Sequence, residues 1–217
     1  TLRNALAYSR NIPALKTMYA VGKDKAVGFA EKLGLDFKKP VYDPVAIGSY
    51  EPGATPLQMA GAYAAFGNNG VYNEPYTVTK IAFPDGKTIK PHRRSYTAMH
   101  DYTAYMVTDV LKSVIEYGTG KSIQLPGLPV AGKTGSVGLS DEFRQKHDIS
   151  DTGGYSDEWF TGYTTQYTAS IWTGYPSLTA DGKVHYMSSI ESKNIAKEIF
   201  EKLMADISDQ HVADFKK

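Results

Sequence analysis

The sequence of 217 residues contains no cysteine. Disulfides, thiolate metal sites and cysteine nucleophiles are therefore excluded. It also lacks an excess of either charge: 24 Lys and Arg stand against 23 Asp and Glu, for a net charge of +1. A dedicated nucleic-acid binder carries a basic surplus, so no nucleic-acid partner is expected. No apolar run approaches the ~20 residues that span a bilayer as a helix. Histidine is scarce, at 5 residues, and His147 and His185 stand alone without metal-ligand spacing, so neither metal nor cofactor is expected. Tyr at 16 and Gly at 20 are plentiful, which favours aromatic strands and tight turns. Hydrophobic residues make up 41% of the chain, enough for a full core, which excludes a disordered tail or linker.

The first third carries helical spacing. Leu2, Ala5 and Leu6 repeat until Ser9-Arg10-Asn11-Ile12-Pro13 breaks the pattern, and Pro13 is expected to open a second helix. A third is expected over Asp24 to Leu33, stopped by Gly34. Thr55-Pro56-Leu57-Gln58 is a capping box for a helix from Leu57 to Phe66, rich in small residues. Tyr76 to Phe83 reads as a strand, turned by Pro84-Asp85-Gly86-Lys87 into a partner at Thr88 to Lys90. The basic run His92-Arg93-Arg94 fits a solvated hairpin edge. Helical spacing returns over Asp101 to Tyr117.

The last third reads mostly as strand. Val130 to Ser136 is short and Gly-rich, and Trp159–Thr164 with Tyr167–Gly174 is expected to form a hairpin. Between them, Val137 to Glu158 reads as a polar, mobile loop, with Glu142, Asp148, Asp151, Asp157 and Glu158 solvated by default, although a carboxylate there could serve as a base and the loop could form the lip of a groove. A closing helix over Lys193 to Ile207 carries Ile195, Ile199 and Leu203 in a row expected to face the core. Helices, then a hairpin, then a helix is an α+β order rather than a repeating βαβ one.

Two constellations can carry chemistry. On a strand, Lys133 and Gly135 share one face while Thr134 and Ser136 share the other, and Gly135 leaves room for a ligand's backbone. Ser9 and Asn11 offer a hydroxyl and an amide at a helix break. Alone, each has an ordinary reading: a short strand, and a helix cap.

Their order changes that reading. Ser-x-Asn between helices, followed by Lys-Thr-Gly-Ser on a strand, resembles the penicillin-binding protein and serine β-lactamase superfamily. Thr55-Pro56-Leu57-Gln58-Met59-Ala60, Asn69-Gly70-Val71-Tyr72, Gly118-Thr119-Gly120, Asp157-Glu158-Trp159-Phe160 and Ile171-Trp172-Thr173-Gly174-Tyr175 resemble the class A penicillin-binding proteins in particular. The resemblance runs from Thr1 to about Leu203. The third superfamily motif, Ser-x-x-Lys, is missing, because no Ser has Lys three residues later. Thr77-Val78-Thr79-Lys80 has the spacing but lies in an expected strand.

The resemblance implies an α+β fold (an α/β/α sandwich): an antiparallel sheet flanked by helices, plus an all-helical lobe. This chain would be an incomplete piece of it, with residues 1–207 as the C-terminal portion of the transpeptidase domain and 208–217 as a tail. The nucleophile is then expected upstream of Thr1, on a companion fragment of the same polypeptide anchored at the extracytoplasmic face of the membrane. The implied reaction is D,D-transpeptidation of peptidoglycan stem peptides through a serine acyl-enzyme, with β-lactams as inhibitors. Ser9, Asn11 and Lys133 would be catalytic; Thr134, Gly135 and Ser136 would bind substrate. Ser136 stands where the class A pattern commonly has Thr, so the hydroxyl is kept. Two alternatives share these motifs or their absence: a β-lactam-sensing or hydrolysing relative, and a non-catalytic peptidoglycan-binding scaffold.

Overall fold

A computed structural model of the chain describes residues 1–150, 154–188, 194–209 and 211–216. The elements begin with α1 (Leu2–Ala7), α2 (Asn11–Val21), α3 (Lys23–Glu31), a 3-10 turn (Asp43–Ile47) and α4 (Pro56–Gly67). Four short strands follow, β1 (Val71–Asn73), β2 (Ile81–Ala82), β3 (Thr88–Ile89) and β4 (Ser95–Thr97), and then α5 (Asp101–Glu116). The remainder is β5 (Ala131–Gly138), α6 (Asp141–Lys146), β6 (Tyr155–Tyr163), β7 (Thr168–Gly174), the short pair β8 (Thr179–Ala180) and β9 (Lys183–Val184), and α7 (Ile195–Ile207). The chain divides into two compact units, residues 1–10 with 108–216, and residues 11–107.

The first unit is built on an antiparallel sheet in the order β5-β6-β7. Alternation along β6 sends Phe160 and Tyr163 to opposite faces. Phe160 is fully buried and meets Phe200 of α7 edge-on, with ring centroids 4.7 Å apart. Ile123, Val130, Ala196 and Met204 complete that core. On the other face the Tyr163 hydroxyl shares a buried hydrogen bond of 2.7 Å with Thr108. The row buried on α7 is therefore Ala196, Phe200 and Met204, not the expected Ile195, Ile199 and Leu203, which remain 37–43% exposed. The buried row, packed on Phe160, Ile123 and Val130, lies one residue from the expected row. The expected start of this helix at Lys193 lies outside the described residues.

The stretch between the β5 and β6 strands is not a loop throughout. β5 runs on to Gly138, and β6 already begins at Tyr155. Between them Ser140 accepts from the Phe143 N–H at 3.1 Å and caps α6, with Asp141 and Glu142 in its first turn and Arg144 and Lys146 in its last. Those charges suit the helix dipole, so a segment that reads as solvated polar chain is a capped helix. Asp151 lies outside the described residues.

The second unit holds its own core of Leu33, Ala62, Ala65, Tyr72, Met99 and Ala104. The capping box is present: the Gln58 N–H donates to Thr55 Oγ1 at 3.2 Å and the Thr55 N–H to Gln58 Oε1 at 2.9 Å. Gly70 turns into β1 at φ +84, and a Cβ there would lie 2.2 Å from the Met99 carbonyl oxygen. β1 pairs with β4, Val71 opposite Thr97, a ladder with no clear signal in the sequence. The strand expected over Tyr76 to Phe83 shrinks to Ile81–Ala82, paired with Thr88–Ile89 and exposed on both faces. With no core under it, its β propensity has nothing to pack against. Tyr76 instead lies under the Arg93 guanidinium, 3.4 Å from the ring centroid. α2 starts at Asn11, so Pro13 is its third residue, where a missing N–H leaves no helical bond unmade.

Candidate active site

Ser9 sits just past α1. The Ser9 N–H donates to the Leu6 carbonyl at 3.1 Å and the Arg10 N–H to the Ala5 carbonyl at 2.8 Å, which closes the helix. The closure holds Ser9 at φ 53, a left-handed backbone that costs a non-Gly residue on the order of 1 kcal/mol. α1 is itself clamped from its first turn. The Arg3 guanidinium donates to the Asp109 carbonyl at 2.8 Å and to Ser113 Oγ at 3.0 Å, and it pairs with the Asp109 carboxylate.

Lys133 is the third residue of β5. Its Nζ donates to Ser9 Oγ at 2.8 Å and to the Thr134 carbonyl at 2.9 Å, with Thr134 Oγ1 at 3.4 Å. These three partners are neutral oxygens. Burial disfavours the charged ammonium and pushes its pKa down from 10.5 to about 8. The Thr134 hydroxyl meets the Thr119 hydroxyl at 2.7 Å. Thr134 lies opposite Phe160, Gly135 opposite Trp159 and Ser136 opposite Glu158. A Cβ on Gly135 would come within 3.2 Å of the Trp159 Cβ, so the glycine makes room for the tryptophan stem. Among the described residues β5 pairs only with β6, so its other edge is unpaired.

A cleft of about 270 Å³ runs along this strand, lined by Ser9, Thr119, Thr134, Ser136, Glu158, Trp159, Ala196 and Lys197. The first unit thus brings together Ser9, Lys133, Thr134, Gly135 and Ser136. Asn11 is exposed and opens α2, so the division between the units passes through the Ser-x-Asn motif, after Arg10. Among the lining residues, Thr119, Ala196 and Lys197 had no expected chemical role, and Glu158 was expected to be solvated. Gly118-Thr119-Gly120 was a visible signal for the first. Glu158, far from being solvated, is 5% exposed, and its position follows from period-2 register with Ser136. Nothing in the sequence marks Lys197.

A larger cavity of about 460 Å³ lies in the second unit beside Lys38, Tyr42, Tyr50 and Glu51, and contains none of the motif residues. Size does not outweigh chemistry here: its Lys38 is paired with Glu51 at 3.0 Å, whereas the Lys133 amine is held by Ser9 Oγ and other neutral oxygens. Among the described residues there is no cluster of three or more His, Cys, Asp or Glu able to hold a metal.

The sequence pattern of the penicillin-binding protein transpeptidase domain matches residues 1–204. The chain belongs to this family. Penicillin-binding protein 1A/1B of Bacillus subtilis (strain 168) is 49% identical over 212 residues, which cover 96% of this chain and 23% of that protein. Penicillin-binding protein 1A of Streptococcus oralis is 37% identical over 226 residues, covering 99% of this chain and 34% of that protein. The chain therefore spans from 23% to 34% of the length of these relatives. The penicillin-binding protein PonA1 from Mycobacterium tuberculosis superposes with a TM-score of 0.80 at 20% identity, over 100% of this chain and 59% of that one. Its complex with penicillin V gives 0.78. These likenesses establish the serine β-lactamase/transpeptidase-like α+β fold expected from the sequence. Among the described residues of this transpeptidase-family chain, no helix is long and apolar enough to cross a membrane.

Proposed function

We propose that this chain is the Ser-x-Asn and Lys-Thr-Gly-bearing part of a D,D-transpeptidase that cross-links peptidoglycan at the extracytoplasmic face of the membrane. The observation that carries the reading is the 2.8 Å contact between Lys133 Nζ and Ser9 Oγ, on a strand whose outer edge has no partner among the described residues. The nucleophile is the Ser of a Ser-x-x-Lys segment upstream of Thr1 in the same polypeptide. Its Oγ attacks the carbonyl of a D-Ala-D-Ala stem peptide, a C–O bond forms, the C–N bond breaks, and D-Ala leaves with a proton passed on by Ser9. An amine from a second stem peptide then attacks the ester, forms the new amide and releases the serine, which recovers its proton. β-Lactams enter as donor mimics and stop at the acyl stage.

Each residue has a chemical role in this reading. Lys133 anchors Ser9 and the substrate carboxylate, and the Thr134 and Ser136 hydroxyls line the carboxylate pocket. Asn11, by its place in the motif, hydrogen-bonds the substrate amide. The Ser136 N–H is one oxyanion donor and the nucleophile's own N–H the other; losing one such donor costs about 3 kcal/mol of transition-state stabilisation. Two features support that assignment: the Thr134 carbonyl faces the Lys133 ammonium, and strand residues two apart direct their backbone groups to the same edge.

The test uses the whole polypeptide that contains this chain. It is given a D-Ala-D-Ala donor peptide and an amine acceptor, and free D-Ala and the cross-linked product are measured. The reading predicts both in equal amounts, and neither after penicillin treatment. Absence of D-Ala release would contradict it. A hydrolysing relative is the second reading, favoured by the buried Glu158 carboxylate beside Ser136, and it predicts hydrolysed donor in place of the cross-linked product.

A further inference from the structure

Thr119 uses all three of its polar groups to join the elements that carry the candidate site. Its backbone N–H donates to the Ala7 carbonyl at 3.0 Å, two residues before Ser9. Its hydroxyl meets the Thr134 hydroxyl at 2.7 Å, one residue after Lys133. Its carbonyl accepts from Lys197 Nζ of α7 at 3.4 Å. The two glycines beside it allow this closeness. A Cβ on Gly118 would stand 2.3 Å from the Ala7 carbonyl oxygen, and one on Gly120 would stand 2.9 Å from Ile115 Cδ1. The turn is also fixed from α5, because the Gly120 N–H donates to the Val114 carbonyl at 2.9 Å.

We infer that Thr119 is a positioning residue for acyl transfer: its N–H sets the end of α1 and its hydroxyl sets Thr134, which together fix the spacing of Ser9 and Lys133. The inference rests on the acyl-transfer reading above. Thr134 is held by Thr119 on one side and accepts from Lys133 on the other, so its rotamer is determined from both ends. Without the Thr119 hydroxyl, Thr134 is free to turn and one fixed oxygen beside the ammonium is lost. Small displacements of a reacting group are expensive when the geometry must be preorganised.

The experiment measures the rate constant of acylation by a fluorescent penicillin in the whole polypeptide, alongside its thermal midpoint. Thr119→Val removes the hydroxyl at nearly constant volume and is expected to slow acylation about tenfold, the kinetic equivalent of about 1.4 kcal/mol. Thr119→Ser restores the hydroxyl and is expected to restore the rate. On a Thr134→Val background, Thr119→Val is expected to add no further slowing, because its partner is already gone. Thr119→Ala is the second hydroxyl-free variant should Thr119→Val lose the fold. Acylation at the normal rate in the hydroxyl-free variants overturns the inference. So does a Thr119→Ser variant as slow as Thr119→Val, which assigns the effect to the methyl packing. If the unsubstituted polypeptide takes no label, the acyl-transfer reading fails first; if Lys133→Ala abolishes label while Thr119→Val is indifferent, that reading stands and this inference alone falls.

Discussion

Lys133 Nζ and Ser9 Oγ lie 2.8 Å apart although 124 positions separate them in the chain. The contact is made between a strand edge and a residue in a strained, left-handed backbone at φ 53. Strain at that position and chemistry at that position can be separated by substitution. Ser9→Gly relieves the backbone penalty, so the protein is expected to be as stable or more stable by on the order of 1 kcal/mol. It also loses the hydroxyl proposed to pass the proton, so penicillin acylation is expected to fall about a hundredfold. Ser9→Ala shares the loss without the gain. Thermal midpoints and labelling rates of the two variants check this; equal labelling in Ser9→Gly and the parent would remove Ser9 from the mechanism.

The lowered pKa of Lys133 has a signature in activity. In the proposed mechanism the ammonium is the form that attracts the substrate carboxylate, and burial makes it give up its proton at about pH 8. Labelling is expected to fall as pH rises through 8. Glu158 and Lys197 line the adjacent cleft, and Arg10 follows Ser9 in the chain. Lys133→Arg keeps a charge that does not titrate, and its residual labelling should show no alkaline limb. Labelling that rises through pH 8 would instead make the neutral amine the working form.

The same shift affects stability in the opposite sense. Below pH 8 both folded and unfolded chains carry the proton, and folding bears the desolvation cost of the buried ammonium. Between about 8 and 10.5 the unfolded chain binds more protons than the folded one, so this group's contribution to stability rises with pH. Lys133→Met should flatten that part of a plot of thermal midpoint against pH.

Gly118 tests the packing of α1. A Cβ 2.3 Å from the Ala7 carbonyl oxygen cannot be accommodated without moving the helix end that carries Ser9. Gly118→Ala is expected to destabilise the protein by about 1–3 kcal/mol and to slow labelling beyond what the unfolded fraction explains. Calorimetry with labelling kinetics on the same preparation checks both parts.

In the second unit, Glu74 is gripped by Arg94 through Nε at 3.1 Å, Nη2 at 2.8 Å and the backbone N–H at 3.3 Å. The Arg94 side-chain bonds come first among the causes that hold its carboxyl down at about 2, from an ordinary 4.5. The stabilisation is present above pH 4.5 and lost as pH falls towards 2. Both groups are solvent-exposed, so salt should weaken the effect. Glu74→Gln is expected to remove an acid-dependent fall in thermal midpoint at low salt and to change little at high salt.

Much of this fold was legible because local chemistry and tertiary packing agree. The Thr55–Gln58 capping box, the helix over Asp101 to Glu116 and the β6–β7 hairpin appear where the sequence puts them. The failures share one cause. Tyr76 to Lys80 has β-rich composition but no sheet to join, while Ser140 caps a helix inside a stretch whose polarity suggested only solvent. On α7 two apolar rows compete one residue apart, and the row of Phe200 is the one that packs with Phe160, Ile123 and Val130. At the candidate site, Ser9 and Lys133 were legible through motif resemblance. Thr119 was visible only as the middle of Gly118-Thr119-Gly120, while its contacts with Ala7 and Thr134, and that of Lys197 with its carbonyl, are tertiary and no local pattern encodes them.

In the proposed function this chain completes a serine acyltransferase whose nucleophile lies upstream of Thr1. The most direct test is to label the whole polypeptide with penicillin, digest it and locate the acyl adduct by mass spectrometry, in the parent and in Lys133→Ala. The account predicts a single adduct on the Ser of a Ser-x-x-Lys segment preceding Thr1, with labelling strongly reduced in Lys133→Ala. An adduct on Ser9 or any other residue of this chain, or labelling indifferent to Lys133, would contradict it.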